Sequence, residues 1–69
     1  MPDELQVTVD QLLADQGSVV VFSGTTEAGE HVTFAVEHRM AAPIAAALTF
    51  DEEAIALIEP WQILSHRSN

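Results

Sequence analysis

Two β-branched runs, separated by a polar turn, constrain this chain more than any other feature. Ser18 to Ser23 (SVVVFS) is β-branched and aromatic and is bounded by Gly17 and Gly24. Its unbroken apolar stretch predicts burial on both faces, and so a central strand. Gly24 to Glu30 (GTTEAGE) reads as a turn. His31 to Glu37 (HVTFAVE) then alternates, with Val32, Phe34 and Val36 on one face and His31, Thr33, Ala35 and Glu37 on the other. An antiparallel hairpin over 18–37 is therefore expected. A two-stranded hairpin alone is marginal in water, so the flanking segments must extend or cover it.

Upstream, Glu4 to Val9 is compatible with the start of a short strand. Thr8 with Gln11 three residues on matches a capping box. Val9, Leu12 and Leu13 fall at helical spacing, and Gly17 suits the position just past a helix end. A short helix over Val9–Gln16 is expected. Downstream, Arg39 to Leu48 (RMAAPIAAAL) is alanine-rich and favours helix. Pro43 fits best in a first turn, so the helix should begin near Met40 to Ala42, with Met40, Ile44, Ala47 and Leu48 inward. Thr49 to Glu59 allows two readings. Thr49 and Glu52 form a capping-box pattern for a helix over Phe50 to Ile58, whereas alternating Ile55 and Leu57 favour a strand from Ala54 to Glu59 that would support the hairpin. The strand is preferred. Trp61 to Leu64 should pack back on the core, and 65–69 is expected to be a frayed polar tail.

The fold class expected is α+β in one compact domain, 1–69: a small antiparallel sheet built on the hairpin, packed against one main helix plus a short N-terminal helix. Its expected core is Val20, Phe22, Val32, Phe34, Val36, Ile44, Leu48, Ile55, Leu57 and Trp61. Sixty-nine residues support only a small core. With no cysteine there is no disulfide or thiolate site to reinforce it. A hydrophobic content of 48% is nevertheless too high for a disordered acidic tail. Cores of this size often gain support from a partner or from self-association.

Charge narrows the partners. Eleven carboxylates face two arginines and no lysine, a formal net charge of -9. Such a surface repels phosphate backbones and anionic membranes and attracts basic surfaces. Direct nucleic-acid binding is therefore disfavoured. The longest apolar stretch, Met40 to Leu48, is too short to span a bilayer, and the acidic opening Pro2-Asp3-Glu4 does not resemble a secretory signal. A cytoplasmic location is expected. Arginine use without lysine, with abundant alanine, resembles the bias of a GC-rich bacterial or phage genome.

Catalytic and metal-binding patterns are weak. His31, His38 and His66 lack the four-residue spacing of a metal-binding helix. His31 and Glu37 share a strand face about 20 Å apart. No metal site and no cofactor are expected. Glu37-His38-Arg39 is the densest polar cluster; it reads as acid-base and anion-binding groups, or more simply as His38 capping the helix and Arg39 pairing with a nearby carboxylate. No serine or threonine lies in a nucleophile-elbow pattern, so the chain is not expected to be an enzyme.

The carboxylates remain. Asp51, Glu52 and Glu53, beside Phe50, form the sharpest group; Glu27 and Glu30 flank the hairpin turn. These five are the candidate partner-binding residues. They either keep a small apolar protein soluble or occupy a basic groove on a nucleic-acid-handling protein by imitating phosphates. In size, charge and lack of a catalytic motif the chain is similar to small phage-encoded decoys such as anti-CRISPR and anti-restriction proteins. No residue pattern matches a particular family. The expected role is a non-enzymatic inhibitor of a basic, nucleic-acid-binding partner. The alternative is an adaptor or homodimer using apolar surface, with Ala35, Met40, Ile63 and Leu64 as candidates.

Overall fold

The computed structural model describes residues 4–67. Five strands and one helix follow in the order β1 (Leu5–Asp15), β2 (Val19–Thr26), β3 (His31–Glu37), α1 (His38–Thr49), β4 (Ala54–Ile58) and β5 (Ile63–Arg67). A 3-10 turn, Pro60–Gln62, joins β4 to β5. All strand pairs are antiparallel, in the spatial order β4-β1-β2-β3-β5. The hairpin forms with β2 in the centre, as expected, but β2 runs on through Thr26, so that Gly24 to Thr26 pair as strand and the turn is confined to 27–30. Phe22 faces Phe34 across the hairpin, their rings 6.0 Å apart and stacked. The turn closes when the Thr26 amide donates to the Glu30 carbonyl and the Gly29 amide donates to the Thr26 carbonyl. Gly29 takes a positive φ there, which glycine adopts without a Cβ penalty.

Strand order and connection length together force the sheet to curl. β4 and β5 lie on opposite edges, which in a flat sheet would be about 19 Å apart. The 59–62 link, tightened by its 3-10 turn, reaches only roughly 13 Å. The edges must therefore approach each other, and the nearly equal extents of 25 × 24 × 22 Å agree. Val7, Val9, Val20, Phe22, Val32, Phe34, Val36, Ala54, Ala56 and Ile58 line the inner face. α1 lies against it through Ala41, Ile44, Ala47 and Leu48. Among the described residues no polar or charged residue is buried.

The expected helix over Val9–Gln16 is absent, and that segment is part of β1. Leu5, Val7 and Val9 alternate inward, then two register shifts, between Val9 and Gln11 and between Leu12 and Ala14, each insert one residue. These bulges turn a two-residue period into spacing that imitates a helix. Gly17 belongs to the β1–β2 turn, where its amide donates to Asp15 Oδ1 at 2.9 Å. Gly24 lies opposite Val9, and any Cβ there would stand 2.5 Å from Val7 Cγ1 and 2.6 Å from the Thr8 carbonyl oxygen. Only glycine lets the bulged strand come this close.

α1 starts two residues earlier than expected, so Pro43 lies inside it rather than in its first turn. The proline costs the Arg39 carbonyl its helical donor, and its ring lies on the exposed side of the helix. His38 does not cap the helix. Glu37 holds the cap position with no side-chain cap bond, and the first helical amide, of His38, donates instead to the Ser18 carbonyl at 3.0 Å. Met40 is exposed, and Ala41 takes the inward place expected of it. Thr49 does not start a second helix. It ends α1, its hydroxyl donating to the Ala45 carbonyl at 2.9 Å.

β4 is a strand, as preferred, but with the opposite facing. Ala54, Ala56 and Ile58 point inward, leaving Ile55 and Leu57 exposed. Trp61 is also outside the core. Residues 65–67 continue β5 and pair with β3 instead of fraying, while 68–69 lie outside the described residues. No helix among the described residues is long and apolar enough to cross a membrane.

Three substitutions at two positions test this account by chemical denaturation. Gly24→Ala forces β1 away from β2 and should cost about 1–3 kcal/mol, as overpacking does. Asp51 follows α1 at φ +58 and its amide donates to the Leu48 carbonyl, while the Glu52 amide donates to the Ala47 carbonyl, a Schellman end. Asp51→Val should therefore cost roughly 1 kcal/mol, whereas Asp51→Gly should be neutral or stabilising.

Candidate functional site

The five carboxylates singled out in the sequence do not converge. Asp51 and Glu52, just past α1, border a hollow of about 360 Å³ with Asp10, Gln11, Leu12 and Thr49. Glu27 and Glu30, in the β2–β3 turn, border another of about 290 Å³ with Glu4, Gln6 and His66. Glu53 is exposed at the entry to β4. Each group thus gains a carboxylate distant in sequence, Asp10 in the first and Glu4 in the second. Asp10 arrives because the β1 bulge displaces it from the regular alternation. Backbone roles account for part of the first group, since Asp51 and Glu52 end the helix through their amides.

Arg39 and the three histidines are taken up locally. Arg39 Nε lies 3.2 Å from Glu37 Oε2, the simple pairing expected of it, with both side chains exposed. His38 Nε2 lies 3.9 Å from Asp15 Oδ2, and His66 Nδ1 lies 3.7 Å from Glu30 Oε2. His31 meets a hydroxyl: Thr25 Oγ1 lies 3.4 Å from His31 Nδ1 and donates to Asp10 Oδ2 at 3.3 Å. A proton donated to Asp10 leaves that oxygen an acceptor toward the imidazole, which is the reverse of an activated nucleophile. Among the described residues no three His, Asp or Glu side chains are grouped to hold a metal ion.

A different surface stands out in the fold. Trp61 is 79% exposed, and Met40, Leu57 and Leu64 beside it are each more than half exposed. Trp61 forms a ridge between two hollows. One, of about 240 Å³, is bordered by Val19, Ala35 and Leu64; the other, of about 190 Å³, by Met40 and Leu57. Val36, Glu37, Trp61 and Gln62 border both. Of the apolar surface candidates read from sequence, Met40 and Leu64 are exposed here, whereas Ile63 packs against the core. Large apolar side chains gathered on a small surface mark contact sites.

Gln62 holds the ridge in place. Its Oε1 accepts from the Glu59 amide at 2.8 Å, and its Nε2 donates to the Ala35 carbonyl at 3.0 Å. One side chain thus fixes the 3-10 turn and fastens it to β3. Trp61 and Leu57 were legible only as apolar residues. The signal that could have turned Leu57 outward is the alanine content of α1, since a close helix demands small residues opposite it, and Ala54 and Ala56 supply them.

No protein-family model matches the chain, and no curated protein and no solved structure matches it either.

Gln62→Ala should cost about 1–2 kcal/mol, the value of two partly buried hydrogen bonds. Hydrogen exchange at the Glu59 and Gln62 amides should rise more than at the core amides of β2 and β3. Uniform acceleration across the sheet would mean that the turn is not held locally.

Proposed function

We propose that this protein is a non-enzymatic, anionic binding domain that docks on a basic surface of another protein. The observation that carries the reading is the combination of a net charge of -9 with a structure in which every carboxylate among the described residues reaches the surface. Charge so placed accelerates encounter with a basic partner and repels phosphate backbones. A partner that itself handles nucleic acid presents such a basic face, and covering it would block access to nucleic acid. The two separate carboxylate groups favour a partner gripped at two places over one continuous imitation of a phosphate track.

The test is capture from a bacterial lysate at low and high salt, with a charge-altered variant alongside. Lysine at 51 would strain the positive φ, so the variant is Asp51→Asn, Glu52→Lys and Glu53→Lys. A basic protein retained at low salt should be lost at high salt, and the variant should bind it at least tenfold more weakly with a shallower salt dependence. Salt-resistant capture, or equal capture by the variant, would reject the reading for these residues.

A further inference from the structure

The Trp61 ridge is apolar, yet it carries a carboxylate at its centre, since Glu37 borders both hollows. Among the described residues the Glu37 carboxylate is engaged only by Arg39, and both side chains of that pair are largely in water. An ion pair this exposed contributes little, so another cation can exchange with Arg39 at small cost. The neighbouring Trp61 indole offers a face of the kind that guanidinium and ammonium groups stack on. A cation seated there would meet both groups at once, with an apolar hollow on either side.

Charge also selects against a second copy of this chain as the occupant. Each copy carries a net charge of -9, and an isologous contact through this ridge would bring the two Glu37 regions together. Some apolar area would be buried, but against the mutual repulsion of two bodies that each carry a net charge of -9. A basic partner meets the same apolar area with attraction instead.

We propose that the Trp61 ridge is the docking site for a cationic segment of a partner protein. An arginine or lysine of that segment stacks on Trp61 and pairs with Glu37, while flanking aliphatic side chains fill the hollows by Leu64 and by Met40 and Leu57. This rests on the proposed preference for a basic protein and adds the site and the chemistry it recognises.

Trp61 is the only tryptophan, so its emission reports the ridge directly. The probe is a short peptide alternating Arg and Leu, compared with Glu–Leu and Arg–Ser peptides of equal length. The Arg–Leu peptide should shift Trp61 emission to the blue, and the other two should do so far less. By calorimetry, Trp61→Ala should weaken binding at least tenfold, the scale of a buried aromatic anchor, and Trp61→Phe should recover part of the loss. Glu37→Gln should weaken binding more than Glu27→Gln, which removes the same charge far from the ridge. Arg–Leu binding that is unchanged in Trp61→Ala, or equal effects of the two Gln variants, would overturn this site and leave the basic-partner reading standing. A concentration-dependent blue shift of the protein alone, with dimers in sedimentation, would overturn it in favour of a second copy. Failure of any cationic peptide to bind at low salt would overturn the basic-partner reading and this site together.

Discussion

Four residues, 59–62, must connect the two outer strands of a five-stranded sheet, and the rest of the structure follows from that short reach. A flat sheet cannot be joined this way, so the edges curl toward each other. The curl gives a chain of this size an enclosed inner face and lets one helix of 12 residues complete the core. The same link cannot itself be buried, because it crosses the outside of the curl. Trp61 is carried there with it and stands in solvent between β3, β5 and the start of α1. The surface that looks most like a contact site is thus a by-product of how the core is closed, held in place by the two hydrogen bonds of Gln62.

Helix and sheet meet through small side chains. α1 offers Ala41 and Ala47 beside Ile44 and Leu48, and β4 answers with Ala54 and Ala56. Close approach of the helix is favourable only if the strand beneath it is also small. That condition chooses the facing of β4 and drives Ile55 and Leu57 outward. Gly24 does the same inside the sheet, where the absence of a Cβ admits the bulged β1.

Two kinds of surface remain. The carboxylates act at a distance of several ångströms to tens of ångströms and weaken as salt rises. The Trp61 ridge acts only on contact and keeps its value in salt. Glu37 belongs to both, being a carboxylate set between apolar hollows. On the proposed reading, long-range attraction and short-range packing would together select a partner that is basic and carries aliphatic side chains.

The hairpin over 18–37, the presence of the main helix and the strand at 54–58 were legible in the sequence, because β-branched alternation, alanine content and glycine-bounded turns act over neighbouring residues. So was the anionic character, which needs only counting. What only the tertiary structure decided was the strand nature of 9–15, the facing of β4, the pairing of 65–67 and the exposure of Trp61. Bulges disguised the period of β1. A strand of alternating small and large apolar residues has two consistent facings, and the helix packed against it selects one. A tryptophan between a proline and an apolar run reads as core until the route of the chain around the sheet is known. The same holds for the candidate site: the sequence supplied the carboxylates, but the distances between them, and the place of Glu37 beside Trp61, depend on strands brought together from distant parts of the chain.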